Sequence, residues 1–147
     1  MTVHVRSLAT LLGVKPKKKP ESFTSFDLAD EVSRGLSVDA LDRVCAKLAP
    51  DDASLRYRIV PKATLARRRR TTKRLLNRVE SDRIARVARI WALAMDVWKS
   101  ETAARRFLSD PHPLLGGRIP RDFAIESELG AREVEDLLGG LKYGTAV

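Results

Sequence analysis

Between Asn77 and Lys99 the chain carries a helix that can be satisfied only inside a packed molecule. Ile84, Val87, Ala88, Trp91, Met95 and Trp98 fall within one arc of a helical wheel, with Asp82, Arg86 and Arg89 on the other side. In the second half Ile90, Leu93 and Val97 add a further apolar face, so that half is apolar nearly all round. Such a helix must be covered on two sides, as a central strut or a subunit interface. Ile90, Trp91, Leu93, Val97 and Trp98 are therefore the residues expected at a dimer interface, with core packing the simpler role for at least one tryptophan. Asn77 followed by Glu80 opens the helix as a variant of the capping box. Nowhere is there a period-two run of β-branched residues, so the fold class is all-α.

Shorter helical signals flank this strut. Ser25 can cap a helix bearing Phe26, Leu28, Ala29 and Val32 that stops at Gly35. Ser37 can cap a second, with Leu36 and Leu41 placed as a hydrophobic staple and Leu41, Val44, Cys45 and Leu48 on one face. Pro50 ends it. Asp51 or Asp52 can cap a third, short helix through Tyr57, and Ile59-Val60-Pro61 reads as a turn with Pro61 suited to the first position of the next helix. That fourth helix runs from Lys62 to about Arg70 and buries Leu65. After Ser100 come a helix with Ala103, Ala104, Phe107 and Leu108, a loop from Asp110 to Pro120, a helix starting near Pro120, and a last one from about Ala131 to Gly139. The ending Leu141-Lys142-Tyr143-Gly144 reads as short and extended. The expected organisation is an arm or linker over 1–24, a helix-turn-helix domain over 25–78, a connecting helix over 79–99 and a partner-binding domain over 100–147.

Charge singles out one of these pieces. The window Arg56–Arg78 holds ten Lys and Arg and no Asp or Glu, in a chain with 28 basic residues, 19 acidic ones and a formal net charge of +9. Outside the window the two signs nearly balance, so the excess is a local surface suited to a polyanion, DNA first. Two short helices joined by a brief turn, the second basic, form the helix-turn-helix pattern, although the usual turn glycine is absent. Consecutive helical residues point about 100° apart, so the basic side chains cannot all enter one groove. Lys62, Thr64 and one or two of Arg67 and Arg68 are expected to face the groove, while Arg69, Arg70, Lys73 and Arg74 track phosphates, which supply affinity without sequence information.

Other classes are disfavoured. No apolar run approaches the roughly 18 residues of a membrane span. The charges near Leu8, Leu11 and Leu12 follow the apolar residues instead of preceding them, unlike a secretory signal, so the chain reads as cytoplasmic. Cys45 is the single cysteine and reads as a small core residue. His4 and His112 are isolated, no metal-ligand cluster or cofactor motif occurs, and no base is paired with a nucleophile, which argues against an enzyme. Gly116-Gly117 reads as a turn needing positive φ, not as a phosphate cradle.

The later motifs resemble the toxin-binding domain of the Xre/MbcA/ParS antitoxins of RES–Xre toxin–antitoxin pairs. The resemblance rests on Ala104-Arg105-Arg106-Phe107-Leu108, on the run from Pro113 through Gly116-Gly117-Arg118-Ile119 to Pro120, on Gly130-Ala131-Arg132-Glu133-Val134-Glu135-Asp136-Leu137-Leu138, and on Tyr143-Gly144. Val60 to Arg68 and Glu80-Ser81-Asp82-Arg83 extend it, so that it covers about 35 to 146. Phe107 stands where family members often have Trp, and Phe123-Ala124-Ile125 where they have a leucine-rich stretch.

The resemblance implies an all-helical antitoxin, with an Xre-like helix-turn-helix followed by a long helix and a small helical toxin-binding domain. Such a protein dimerises, binds its own operator and holds a NAD-consuming RES toxin inactive by covering its pocket. On this reading Leu114, Leu115, Ile119, Val134 and Leu138 form an apolar patch shared between the core and the toxin. Arg118, Glu135 and Asp136 lie in the toxin interface, and Lys142-Tyr143-Gly144 block substrate entry. No cofactor is implied for the chain itself. The alternative from the residues alone is a stand-alone helix-turn-helix regulator.

Overall fold

The structure, a computed structural model, describes residues 5–144, and it departs from the expected N-terminal arm at once. Val5–Leu12 (α1) is a helix with Ala9 and Leu12 buried, because the apolar residues at its helical spacing find a surface to cover. Lys15 to Lys19 stay exposed, and a single 3-10 turn follows at Pro20–Ser22. His4, the first four residues of the expected arm and the last three of the C-terminal segment lie outside the described residues. Ser25–Arg34 (α2) is capped by Thr24, one residue earlier than expected, since Asp27 completes a reciprocal capping box with it. Val38–Leu48 (α3) is capped by Ser37 as expected and buries Leu41, Val44, Cys45 and Leu48. α1 packs against α3.

Asp52 caps a 3-10 turn, Ala53–Leu55, which runs into a single α-turn, Arg56–Ile59 (α4). Lys62–Arg70 (α5) follows after Val60 and Pro61. Pro61 is the N-cap, not the first helical residue: its ψ of 145° is extended, and its carbonyl accepts from the Leu65 amide at 2.8 Å. Leu65 is the one buried residue of α5. The chain is then clasped back onto the α2–α3 connection. The Val38 amide donates to the Arg74 carbonyl at 2.9 Å and the Leu76 amide to the Leu36 carbonyl at 2.8 Å. Arg74 takes a φ of +50° to make that turn.

Arg78–Trp98 (α6) is the strut, opened by the Asn77–Glu80 capping box. It packs against α1, α2, α3 and α4 as well as the later helices. This corrects the expectation for its apolar second face: Ile90, Trp91 and Leu93 are buried within the chain itself. They are therefore not available to a second copy, and only Val97, half-buried, and Trp98, exposed, reach the surface. Lys99 ends the helix in the left-handed region, at φ +56°, and reverses the chain.

Glu101–Ser109 (α7), Pro120–Glu126 (α8) and Glu128–Tyr143 (α9) complete the molecule. α9 starts three residues earlier than expected and continues through Tyr143, so Leu141-Lys142-Tyr143 is helical and Gly144, at φ +72°, caps it. Leu141 packs on the core past the two glycines that suggested a stop. α8 and α9 approach so closely that a Cβ on Gly130 would sit 2.1 Å from the Phe123 carbonyl oxygen. One hydrophobic core runs from α1 to α9. Among the described residues no strand forms, only two isolated bridges. None of their helices is long and apolar enough to cross a membrane.

Candidate nucleic-acid interface and partner-binding surface

α5 presents its outer side through Lys62, Ala63, Ala66, Arg67 and Arg70, all exposed, with Leu65 turned to the core. At 100° per residue, Ala63, Ala66, Arg67 and Arg70 share one face. The Arg67 guanidinium has no partner among the described residues, and Arg70 bonds only its own helix, to the Ala66 carbonyl at 3.3 Å. Lys62 lies 5.6 Å from the centre of the Tyr57 ring, and Thr64 is half-buried at the edge of the face. The small Ala63 and Ala66 leave the surface beside Arg67 and Arg70 open.

The other two arginines of the run are held by acids of neighbouring helices. Arg68 donates through Nε to Glu80 at 3.2 Å, and Glu80 is itself buried and part of the α6 cap. Arg69 forks onto Asp42 of α3 at 2.9 and 2.8 Å, and Arg56 of α4 reaches the same carboxylate at 2.7 Å. Asp42 thus ties both helices of the motif to the scaffold. The hydrogen bonds from Arg69 hold its carboxyl below the usual carboxylate range against the opposing effect of burial, with the charges of Arg69, Arg56 and Arg74 adding to the drop. Lys73 is exposed without a partner among the described residues, and Arg74 is half-buried, 3.5 Å from Asp39. Sequence reasoning missed Asp42, and for Glu80 saw the cap but not the bond to Arg68, because neither supplies positive charge. Acids on the elements flanking a basic helix were the available signal.

The expected toxin-facing residues are dispersed by the fold. Leu115, Val134 and Leu138 are core, Ile119 is half-buried, and Leu114 points out at 54% exposure. Arg118 bonds the Leu115 carbonyl at 3.0 Å and lies 5.0 Å from the Phe123 ring centre, bracing the Gly116-Gly117 turn, whose φ values of +66° and +80° match the expectation. Glu135 is engaged by Arg89, whereas Asp136 is exposed. Lys142 pairs with Asp96 of α6, which pins the end of α9 and leaves Tyr143 64% exposed. Trp98 stacks beside Phe107, and Phe107 beside His112, whose Nδ1 accepts from the Leu114 amide at 3.1 Å.

Several polar bonds join the halves of the molecule. Arg58 of α4 pairs with Asp122 of α8 at 2.7 Å. Arg86 of α6 donates to the Ala124 and Ile125 carbonyls, both at 2.8 Å, satisfying the C-terminal end of α8. Burial pushes the Arg86 guanidinium below its ordinary value. Cys45 is buried, and burial raises its thiol to about 11, which keeps it protonated near neutrality. Among the described residues, no group of three or more His, Cys, Asp or Glu could hold a metal ion.

Comparison with known proteins gives both halves a likeness. Residues 27–89 match the antitoxin Xre-like helix-turn-helix domain, and residues 93–144 match the antitoxin Xre/MbcA/ParS C-terminal toxin-binding domain. An antitoxin Xre from Yersinia enterocolitica (serotype O:8, biotype 1B) is 37% identical over 119 residues, which span 80% of this chain and 79% of that one. The two matched segments meet within α6, the helix against which both halves pack.

Proposed function

The chain belongs to the Xre family of antitoxins, and from that premise we propose that it neutralises a RES-type, NAD-consuming toxin and represses its own operon by binding operator DNA as a homodimer. It acts by binding, in the cytoplasm where its operator lies, and performs no chemistry of its own. The observation that carries the reading is the pairing, in one chain, of a free basic helix face with a toxin-binding domain whose terminal aromatic residue is left exposed.

On the DNA side, α5 enters the major groove with Ala63 and Ala66 toward the bases, Arg67 and Arg70 beside them within reach of the phosphates, and Lys62 at the flank. Lys73 and Arg74 lie beside the backbone. Arg68 and Arg69 act indirectly, through Glu80 and Asp42, by fixing the pose of the helix. A palindromic operator then needs two such helices about 34 Å apart, which is why a dimer is required.

On the toxin side, Tyr143 and Gly144 at the end of α9 cover the toxin's NAD pocket. Lys142 serves this role by anchoring the helix end to Asp96 and does not itself enter the pocket. The experiment is co-expression with the product of the neighbouring reading frame, reading cellular NAD and co-purification together. With the full chain NAD is maintained and the partner co-purifies. Removing the residues after Lys142 leaves helicity, operator affinity and co-purification in place while NAD falls. If the shortened chain still protects NAD, occlusion by the helix end is wrong.

A further inference from the structure

We propose that the aromatic strip Trp98–Phe107–His112, continued by Leu114, is the anchor by which the chain captures its toxin, separate from the α9 end that covers the pocket. The inference rests on the antitoxin reading and adds to it the surface that supplies affinity. Residues 93–144 match a toxin-binding domain, so the partner is a polypeptide, and the question is which face it uses. Within that segment four large apolar side chains are exposed: Trp98, Leu114, Leu129 and Tyr143. Leu129 and Tyr143 stand alone near opposite ends of α9. Trp98 and Leu114 are joined into one surface by the rings between them.

The construction is specific. Lys99 in the left-handed region reverses the chain after α6, and Ser100 caps α7, so Phe107 returns beside Trp98 with ring centres 5.8 Å apart. His112 meets the other edge of Phe107 at 5.7 Å with the rings inclined at 63°. Its Nδ1 holds the Leu114 amide at 3.1 Å, which fixes Leu114 facing solvent. These rings border a cavity of about 360 Å³ that is also lined by Arg106, Asp110 and Pro111. That is space for one large apolar side chain of a partner. At the rim, the Arg106 guanidinium and the Asp110 carboxylate have no partner among the described residues. A cation and an anion of this kind suit a protein knob flanked by both signs of charge. DNA, uniformly anionic, would meet Asp110 unfavourably. Aromatic side chains at the centre of a small, well-formed pocket are the residues that dominate interface affinity.

The test uses the full chain and the product of the neighbouring reading frame, in an inactive form, as probe. Trp98→Arg and Leu114→Arg each weaken capture roughly 30-fold or more, the scale of a dominant interface residue. Both variants keep their helicity and operator affinity and stay folded at the assay temperature. Removal of the residues after Lys142, by contrast, leaves capture intact and loses only protection. In a Trp91→Phe background, where Trp98 is the remaining indole, toxin addition shifts its emission to the blue as the ring leaves water. If the wild type captures the probe and the Trp98 and Leu114 variants capture it equally well, the strip is not the anchor and the inference fails alone. If these variants keep the toxin but convert a dimer to a monomer, the strip belongs to a copy–copy interface and the inference is overturned. If the wild type captures nothing, the toxin reading falls and this inference falls with it.

Discussion

Asp42 holds two elements of the helix-turn-helix at once, accepting a fork from Arg69 of α5 and a single bond from Arg56 of α4. Charge-assisted bonds of this geometry are stronger than neutral ones, but all three side chains are about one-quarter to one-third exposed, which screens them. Asp42→Ala should therefore cost about 1 to 2 kcal/mol in urea unfolding. The pH dependence has a definite sign. The folded carboxyl titrates below its unfolded value of about 3.9, so its contribution is fully present above that value and is lost as pH falls through the lower, folded one. The stability gap between wild type and Asp42→Ala should shrink from about pH 5 toward pH 2. A gap that stays constant over that range would mean the bonds to the ionised carboxylate are not what Asp42 supplies.

At the scale of an element, α5 is where the sequence was most informative and most misleading. Its span from Lys62 to Arg70 was legible, because Pro61 marks its entry and Leu65 is its one inward residue. The roles within the arginine run were not. Arg68 and Arg69 find Glu80 and Asp42, 12 and 27 residues away, and no local pattern reports which side of a basic helix meets acids on its neighbours. The consequence is quantitative. Replacing Arg67 and Arg70 by Ala should lower the log–log salt slope of operator binding by roughly 0.9 for each phosphate that a protomer no longer neutralises. Arg69→Ala should change the operator's advantage over random DNA more than it changes the slope. Equal slope changes for Arg67 and Arg69 would place both on the DNA. The same distinction between local and distant information explains the other elements. Capping residues and apolar spacing revealed α2, α3 and α6. The end of α9 was missed because Gly139-Gly140 looks like a stop, while Leu141 on the core and Lys142 on Asp96 carry the helix onward. The dimer surface was misplaced because a helix apolar all round can be covered by its own chain, and α6 is.

Across the whole molecule, the half that matches a helix-turn-helix domain and the half that matches a toxin-binding domain are distinguishable by motif and inseparable by core. α6 is packed by helices from both sides, Arg58 bonds Asp122 across the divide, and Arg86 of α6 satisfies the end of α8. Residues 100–147 alone would expose the faces of α7, α8 and α9 that rest on α6, so that piece should not fold in isolation. The full chain should unfold in a single transition, with tryptophan fluorescence, which senses Trp91 in the core and Trp98 at the surface, coinciding with helical circular dichroism. Because there is one folding unit, a ligand for either half stabilises both. An operator-bearing duplex at 100 times its dissociation constant should add about 2.7 kcal/mol and shift the two signals together. Two separated transitions, with only one moved by DNA, would show that the halves fold independently despite their shared helix, and any communication between operator and toxin would then have to pass through assembly and not through the core.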